Sequence, residues 1–140
     1  MITCAMCDDE LPFAEQLRSF VMAYAKKKRV ELQAETFASA EELLEEIENG
    51  AGFEILFLDI EMRKMDGIEL GKKLRERSYQ TLIIYVSGYD QYMRQLFEAE
   101  PFRFLSKPLK QEELENVLDK AFERISRFHR TGCQRPGNPG

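Results

Sequence analysis

The sequence has no long apolar run and no secretory leader. None of its apolar runs approaches the length of a membrane span, and its first residues lack the charged, apolar and small-residue order of a signal peptide. The chain is therefore expected to be cytoplasmic and to have no membrane partner.

Basic residues are also outnumbered. Lysine and arginine together number 20, against 25 aspartates and glutamates, which gives a net charge of −5. Nucleic-acid-binding domains normally present a basic face, so the chain itself is not expected to bind DNA. The basic run from Lys26 to Arg29 ends a predicted helix, where cations suit the helix dipole.

The sequence has three cysteines, and an odd number argues against a disulfide framework. Cys4 and Cys7 form a C-x-x-C motif, which elsewhere is a redox or zinc signature. Here the motif falls in an apolar run predicted to be a strand, so residues three apart point to opposite faces. No second pair completes a zinc site, and buried structural thiols are the favoured interpretation.

The apolar residues that are present form short runs separated by longer amphipathic stretches. Most of the short runs are continuous rather than alternating, which is typical of strands buried on both faces of a parallel sheet. The second run is more polar and indicates an edge strand. The predicted strands are Ile2–Cys7, Leu32–Phe37, Ile55–Leu58, Leu82–Val86 and Phe102–Leu105.

Five helical patterns follow the five strands. The second opens with Ser39 as N-cap and Glu42 as its capping-box partner, and Asn49–Gly50 ends it. The other predicted helices are Leu11–Lys28, Asp66–Arg77, the less regular Tyr89–Glu98, and a last one carrying the apolar stripe Leu114, Val117, Leu118, Ala121, Phe122 and Ile125. Strands alternating with helices predict an α/β sandwich with right-handed crossovers.

Polar residues that could bind a ligand or take part in catalysis lie at the ends of four of the strands. Asp8, Asp9 and Glu10 come after the first, Asp59 ends the third, Ser87 ends the fourth, and Lys107 follows the fifth. Open parallel sheets place their functional site at the carboxyl ends of the strands, so these groups are expected to converge. Taken singly each has an ordinary explanation: Asp8 or Asp9 as a helix cap, Ser87 as a loop residue, Lys107 as a surface lysine.

Together the groups favour phosphoryl transfer to an aspartate. Clustered carboxylates repel one another unless a cation lies among them, and carboxylates with retained water suit Mg²⁺. A carboxylate can be the nucleophile toward phosphorus, and a lysine can bind a phosphoryl oxygen. Positioning and charge neutralisation supply most of the catalysis in such reactions.

The sequence resembles the receiver domains of two-component response regulators over Met1 to about Phe128. The residues that carry the resemblance are CDDE at the first strand end, LFLDIEM around Asp59, MDGIEL at the third helix, VSGYDQY after the fourth strand and FLSKPL at the fifth. Among receiver domains, these motifs most resemble those of the LytTR class. The resemblance implies a flavodoxin-like, CheY-like (βα)5 three-layer sandwich with a five-stranded parallel sheet.

The resemblance also implies roles for the site residues. Asp59 is expected to be the phosphoacceptor, with a sensor histidine kinase as donor partner. Mg²⁺ is the expected cofactor, bound directly by Asp9, Asp59 and the backbone carbonyl of Glu61, and through water by Asp8. Lys107 and Ser87 would bind the phosphoryl group, and Phe104 falls where the family keeps an aromatic switch residue. For Phe104, switching and plain core packing both remain open.

Further expectations concern output. Phosphorylation would remodel the face formed by the predicted helix 89–98, the fifth strand and the last helix, a face that also allows a homodimer. LytTR-class receivers precede an all-β DNA-binding domain, so DNA contact is expected only through such a domain. Residues 129–140 are predicted to be a linker or disordered tail, which favours an excised receiver over a protein that works alone.

Departures from the family pattern flank the site. Arg63 stands where proline is common, and Glu61 and Tyr89 lie beside the phosphoacceptor, so we expect an altered phosphoryl lifetime. No activity beyond Mg²⁺-dependent self-phosphorylation from a donor and autodephosphorylation is expected.

Three alternatives remain. A phosphohydrolase or phosphotransferase with an aspartate nucleophile would usually carry a second aspartate where Glu61 stands, together with a cap segment. A flavin-binding module would need a phosphate-cradling loop in place of Asp8-Asp9-Glu10. An unphosphorylated interaction module would keep the fold without the chemistry.

Overall fold

Five parallel strands form one sheet in the order β2-β1-β3-β4-β5. The computed structural model describes residues 1–77, 79–88 and 101–131, with side chains as far as Arg127. This strand order is one of the common doubly wound arrangements, and it confirms the predicted parallel α/β sheet with the second strand at an edge. The strands are β1 (Ile2–Cys7), β2 (Leu32–Phe37), β3 (Ile55–Asp59), β4 (Leu82–Ser87) and β5 (Arg103–Ser106).

The described helices agree closely with the predicted ones. They are α1 (Leu11–Lys27), α2 (Ala40–Glu48), α3 (Gly67–Glu76) and α4 (Gln111–Thr131). The last helix thus continues beyond Phe128, the predicted limit of the domain. The predicted helix Tyr89–Glu98 and the tail from residue 132 lie outside the described residues. None of the helices in the described ranges is long and apolar enough to cross a membrane.

Helix α2 begins with the predicted capping box. The Ser39 hydroxyl accepts a hydrogen bond from the amide of Glu42 at 3.1 Å. The Glu42 carboxylate accepts in turn from the amide of Ala38 at 3.3 Å, one residue before the cap. The first bond satisfies a first-turn amide that has no intrahelical partner, and the second holds the chain just before the cap.

The core lies in two layers, one on each side of the sheet. Helices α1 and α4 cover one side, where Cys4 and Met6 point, and α2 and α3 cover the other, where Cys7 points. This alternation along β1 confirms that the two thiols of the C-x-x-C motif face opposite ways. Both are buried, and burial raises the pKa of the Cys4 thiol to about 12. Unreactive structural thiols are what such burial predicts.

Candidate functional site

The strand register brings the chemical residues to one edge of the sheet. Cys7 is paired with Leu58, and Ser87 with Ser106, so the strands end at nearly the same height. The hydrogen-bond ladder continues one residue beyond two strands. The Asp8 amide donates to the Phe37 carbonyl at 3.0 Å, and the Lys107 amide donates to the Ser87 carbonyl at 2.9 Å. Main-chain bonds therefore hold both residues directly at the site.

Three aspartates form a carboxylate cluster at this edge. One oxygen from each of Asp8, Asp9 and Asp59 lies within 4.8 Å of the others. Asp8 and Asp59 are each only 3% exposed, whereas Asp9 faces solvent. The cluster therefore has a closed inner side and an open outer side, through which a small ligand could enter.

The pKa of Asp59 reflects its surroundings. Burial, followed by the nearby charge of Asp8, raises the pKa of Asp59 from 3.8 to about 7, and Lys107 opposes part of this rise. Both causes disfavour the charged form. A cation placed among the three carboxylates would offset the repulsion that keeps this pKa high.

Lys107 places one positive charge next to the carboxylate cluster. Its Nζ atom lies 3.0 Å from Asp8 Oδ2, 3.5 Å from Asp59 Oδ1 and 4.0 Å from Glu10 Oε1. Burial acts to lower the pKa of Lys107, but contact with Asp8 and the charges of Asp59 and Glu10 outweigh it, so the pKa is raised. The ammonium also lies 4.5 Å from the centre of the Phe13 ring, a cation–π distance.

Asp8 is a positioned carboxylate rather than a helix cap. Its Oδ1 atom accepts from the Glu10 amide at 2.8 Å, and the N-cap of α1 is Glu10, which makes no side-chain capping bond. Its Oδ2 atom is buried and lies 3.0 Å from the Lys107 ammonium, which Asp8 shares with Asp59. A buried oxygen with spare accepting capacity fits a hydrated cation placed beside it.

Ser87 and Phe104 lie on neighbouring strands. Ser87 is buried, and its hydroxyl donates to the Glu61 carboxylate at 3.4 Å, a long hydrogen bond. Phe104 is half-buried, is paired with Tyr85 across the sheet, and packs against the core layer under α2 and α3. This packing agrees with a core role for Phe104 and leaves its switching role a prediction.

The loop of residues 60–66 crosses the open side of the cluster. Glu61 and Arg63 are exposed on it, and the Arg63 amide donates to Asp9 Oδ2 at 3.4 Å. The Met65 amide donates to Glu41 Oε2 at 3.1 Å. Tyr89, the other predicted flanking residue, lies outside the described residues.

Three residues near the site were not predicted from the sequence. Phe13 contacts Lys107 and Glu41 contacts the 60–66 loop, each across a sequence separation that no local pattern reveals. Gly67 lies against the end of β3, where a Cβ atom would stand 2.3 Å from the backbone oxygen of Asp59. The glycine of M-D-G was the available signal, since a glycine at a helix start can mark close backbone approach.

The arrangement suits a cation and an anion held side by side. Three carboxylates can surround a hard divalent ion, while Lys107, 3.5 Å from Asp59 Oδ1, can bind an anionic oxygen. The metal-ligand group found in the described part of the chain consists of aspartates alone, which disfavours zinc. The site, which opens to solvent at Asp9, is thus suited to a phosphoryl group beside a divalent ion.

Comparison with known proteins identifies the family. Residues 5–119 match the family model described as the response regulator receiver domain. A response regulatory protein of Yersinia pestis is 32% identical over 120 residues, which is 86% of this chain and 48% of that protein. The sensory transduction protein LytR of Streptococcus agalactiae is 29% identical over 115 residues, covering 81% of this chain and 45% of that protein.

Solved structures agree on the fold. The response regulatory domain of protein mrkE from Klebsiella pneumoniae superposes with a TM-score of 0.80 at 17% identity, over 90% of this chain and 99% of that one. The chain spans less than half the length of the two sequence relatives named above. The aspartate cluster, the parallel sheet and these matches agree, and the chain belongs to the receiver domains of two-component response regulators, with relatives among the LytT and LytR regulators.

Proposed function

We propose that this receiver domain is a phosphorylation switch whose phosphoacceptor is Asp59. The observation that supports it best is the pairing of Asp59 with both the aspartate cluster and Lys107, whose Nζ lies 3.5 Å from Asp59 Oδ1. An acidic cluster alone would serve many purposes. A buried carboxylate between a cation-binding cluster and a fixed ammonium is suited to accept a phosphoryl group.

The proposed donor is the phosphohistidine of a sensor histidine kinase. An Asp59 carboxylate oxygen forms the new bond to phosphorus as the bond between phosphorus and the histidine nitrogen breaks. The nitrogen keeps the electron pair and the imidazole takes up a proton. Lys107 would exchange part of its contact with Asp8 for a phosphoryl oxygen, and Ser87 would leave Glu61 to donate to another.

Mg²⁺ is the proposed cofactor. Asp9, Asp59 and the Glu61 carbonyl would hold it directly, and Asp8 through water. The three clustered aspartates beside a single lysine, and the raised pKa of Asp59, both support a further positive charge at this point. When bound, Mg²⁺ would neutralise charge on the phosphoryl oxygens.

The proposed output is transcriptional control through a LytTR-type DNA-binding domain. Names such as LytR and LytT among longer relatives support it. The signal would pass through Ser87 and Phe104 to the predicted output face, which comprises the helix expected at 89–98, β5 and α4. The same predicted face would serve a homodimer. Couplings of this kind are typically worth about 1–3 kcal/mol, enough to shift a population. The proposed location of these steps is the cytoplasm.

Intact mass after incubation with acetyl phosphate tests the proposal. We expect one phosphoryl adduct that requires Mg²⁺ and is absent from Asp59→Asn. Asp119→Asn is the matched control, because Asp119 lies on α4 and binds Tyr24 rather than the cluster, and it should keep the adduct. Absence of any adduct at all Mg²⁺ concentrations would favour the unphosphorylated interaction module instead.

A further inference from the structure

The 60–66 loop is anchored at both ends by the main chain. The Ile60 amide donates to the Val86 carbonyl at 3.1 Å, and the Gly67 amide donates back to the Ile60 carbonyl at 3.1 Å. These bonds fix where the loop leaves β3 and where it enters α3. They do not fix the residues between, which include Glu61, whose carbonyl is a proposed metal ligand.

The middle of the loop is held by side chains from two other elements. Asp9 accepts from the Arg63 amide at 3.4 Å, and Glu41 accepts from the Met65 amide at 3.1 Å. Between these amides Lys64 adopts a left-handed φ of 62°. Such a conformation is sterically unfavourable for a residue with a Cβ, so it persists only where surrounding contacts hold it.

The Asp9 and Glu41 carboxylates that hold the loop differ in whether they belong to the proposed metal site. Asp9 belongs to the aspartate cluster, so a bound cation would draw on the oxygens that now hold Arg63. Glu41 is half-buried in the first turn of α2 and lies outside that cluster. Its bond to Met65 is also the shorter, so it can remain when Asp9 turns to the metal.

We infer that Glu41 is a positioning residue for the metal site. Through the Met65 amide it holds the loop, and with it the Glu61 carbonyl, at the level of the aspartate cluster. The inference rests on the proposed Mg²⁺ site and adds to it a residue on a helix that contributes no ligand. Since the contact needs only an acceptor oxygen, glutamine can replace glutamate, whereas alanine cannot.

Calorimetric titration with Mg²⁺ provides the first test, on wild type, Glu41→Ala and Glu41→Gln. We expect alanine to weaken Mg²⁺ affinity roughly five- to tenfold, and glutamine to stay within about twofold of wild type. Glu45→Ala is the matched control, since Glu45 is an exposed glutamate on the same helix. At saturating Mg²⁺ the alanine variant should regain its phosphoryl adduct.

Amide hydrogen exchange in metal-free protein gives a second readout. The Met65 amide should exchange at least about tenfold faster in Glu41→Ala, with no change in Glu45→Ala. Equal weakening by alanine and glutamine would assign the effect to charge and overturn the inference, as would unchanged affinity in both. If wild type itself binds no Mg²⁺, the proposed cofactor is wrong and the inference falls with it.

Discussion

At the scale of single residues, the site is a balance of like and unlike charges. Asp59 is buried next to Asp8, and one lysine serves both. A carboxyl group whose pKa is raised on folding binds a proton that the unfolded chain has already released. Without a cation, the folded protein therefore loses free energy of unfolding as this group is forced to ionise.

The sign of the pH dependence follows from this shift. The pKa of Asp59 is about 7 in the folded protein, against an ordinary value of 3.8 for an aspartate side chain. Its unfavourable contribution is absent below about pH 4, grows as the pH rises to about 7, and is constant above that. We expect Asp59→Asn to raise the free energy of unfolding at pH 8 in EDTA, by on the order of 1–2 kcal/mol after allowance for solvent and the lost Lys107 pair.

Chemical denaturation at pH 4 and pH 8 checks this prediction. The difference between Asp59→Asn and wild type should nearly vanish at the lower pH. Addition of Mg²⁺ at pH 8 should stabilise wild type more than the variant. A difference independent of pH would show that ionisation of Asp59 is not its source.

At the scale of elements, a close backbone contact between Gly67, the first residue of α3, and the end of β3 fixes where the helix begins. A Cβ atom on Gly67 would stand 2.3 Å from the Asp59 oxygen and 3.0 Å from the Asp59 carbonyl carbon, both backbone atoms. Asp66 caps the same helix by accepting from the Glu69 amide at 2.8 Å. The strand end that carries the phosphoacceptor and the start of α3 therefore form one rigid corner.

Gly67→Ala tests this corner. We expect a loss of about 1–3 kcal/mol in the free energy of unfolding, because the strand backbone must move to admit the methyl group. Mg²⁺-dependent phosphorylation should fall as well, since the displaced backbone carries Asp59. Urea denaturation and the intact-mass assay measure the two effects.

Gly88→Ala is the control, because a Cβ there meets no atom of the described residues within 4 Å. Its free energy of unfolding should stay within about 0.5 kcal/mol of wild type. Equal stability of both variants and wild type would contradict the close approach at Gly67.

At the scale of the whole molecule, the core layer under α1 and α4 depends on contacts far apart in the chain. The Tyr24 hydroxyl on α1 donates to Asp119 on α4 at 2.7 Å, across 95 residues. Lys28 lies 5.5 Å from the centre of the same ring. The last helix is thus fastened to the first through a polar contact as well as through its apolar stripe.

Tyr24→Phe should lower the free energy of unfolding by about 1 kcal/mol without changing the phosphoryl adduct. Asp119→Asn keeps an acceptor and should cost less. A double-mutant cycle with Asp119→Ala measures the coupling, and additive effects of the two substitutions would show that the bond contributes nothing.

How much could be predicted from sequence depended on the range of the contacts. The strands, the Ser39 cap and the end of α2 at Asn49–Gly50 are each determined by a short stretch of sequence. The structure confirms these predictions. The convergence of Asp8, Asp9, Asp59 and Lys107 followed from the rule for parallel strand ends. The Glu41–Met65 and Lys107–Phe13 contacts were missed, because no repeating pattern marks a side chain that meets a loop in another element.

The burial of Cys4 and Cys7 on opposite sides of one strand gives the molecule two internal reporters. In a Cys133→Ser background, a thiol-reactive reagent can reach Cys4 only when the α1–α4 layer opens, and Cys7 only when the α2–α3 layer opens. Labelling rates at the two positions would therefore measure separately how often each half of the core detaches. Equal rates would mean that the domain opens only as a whole.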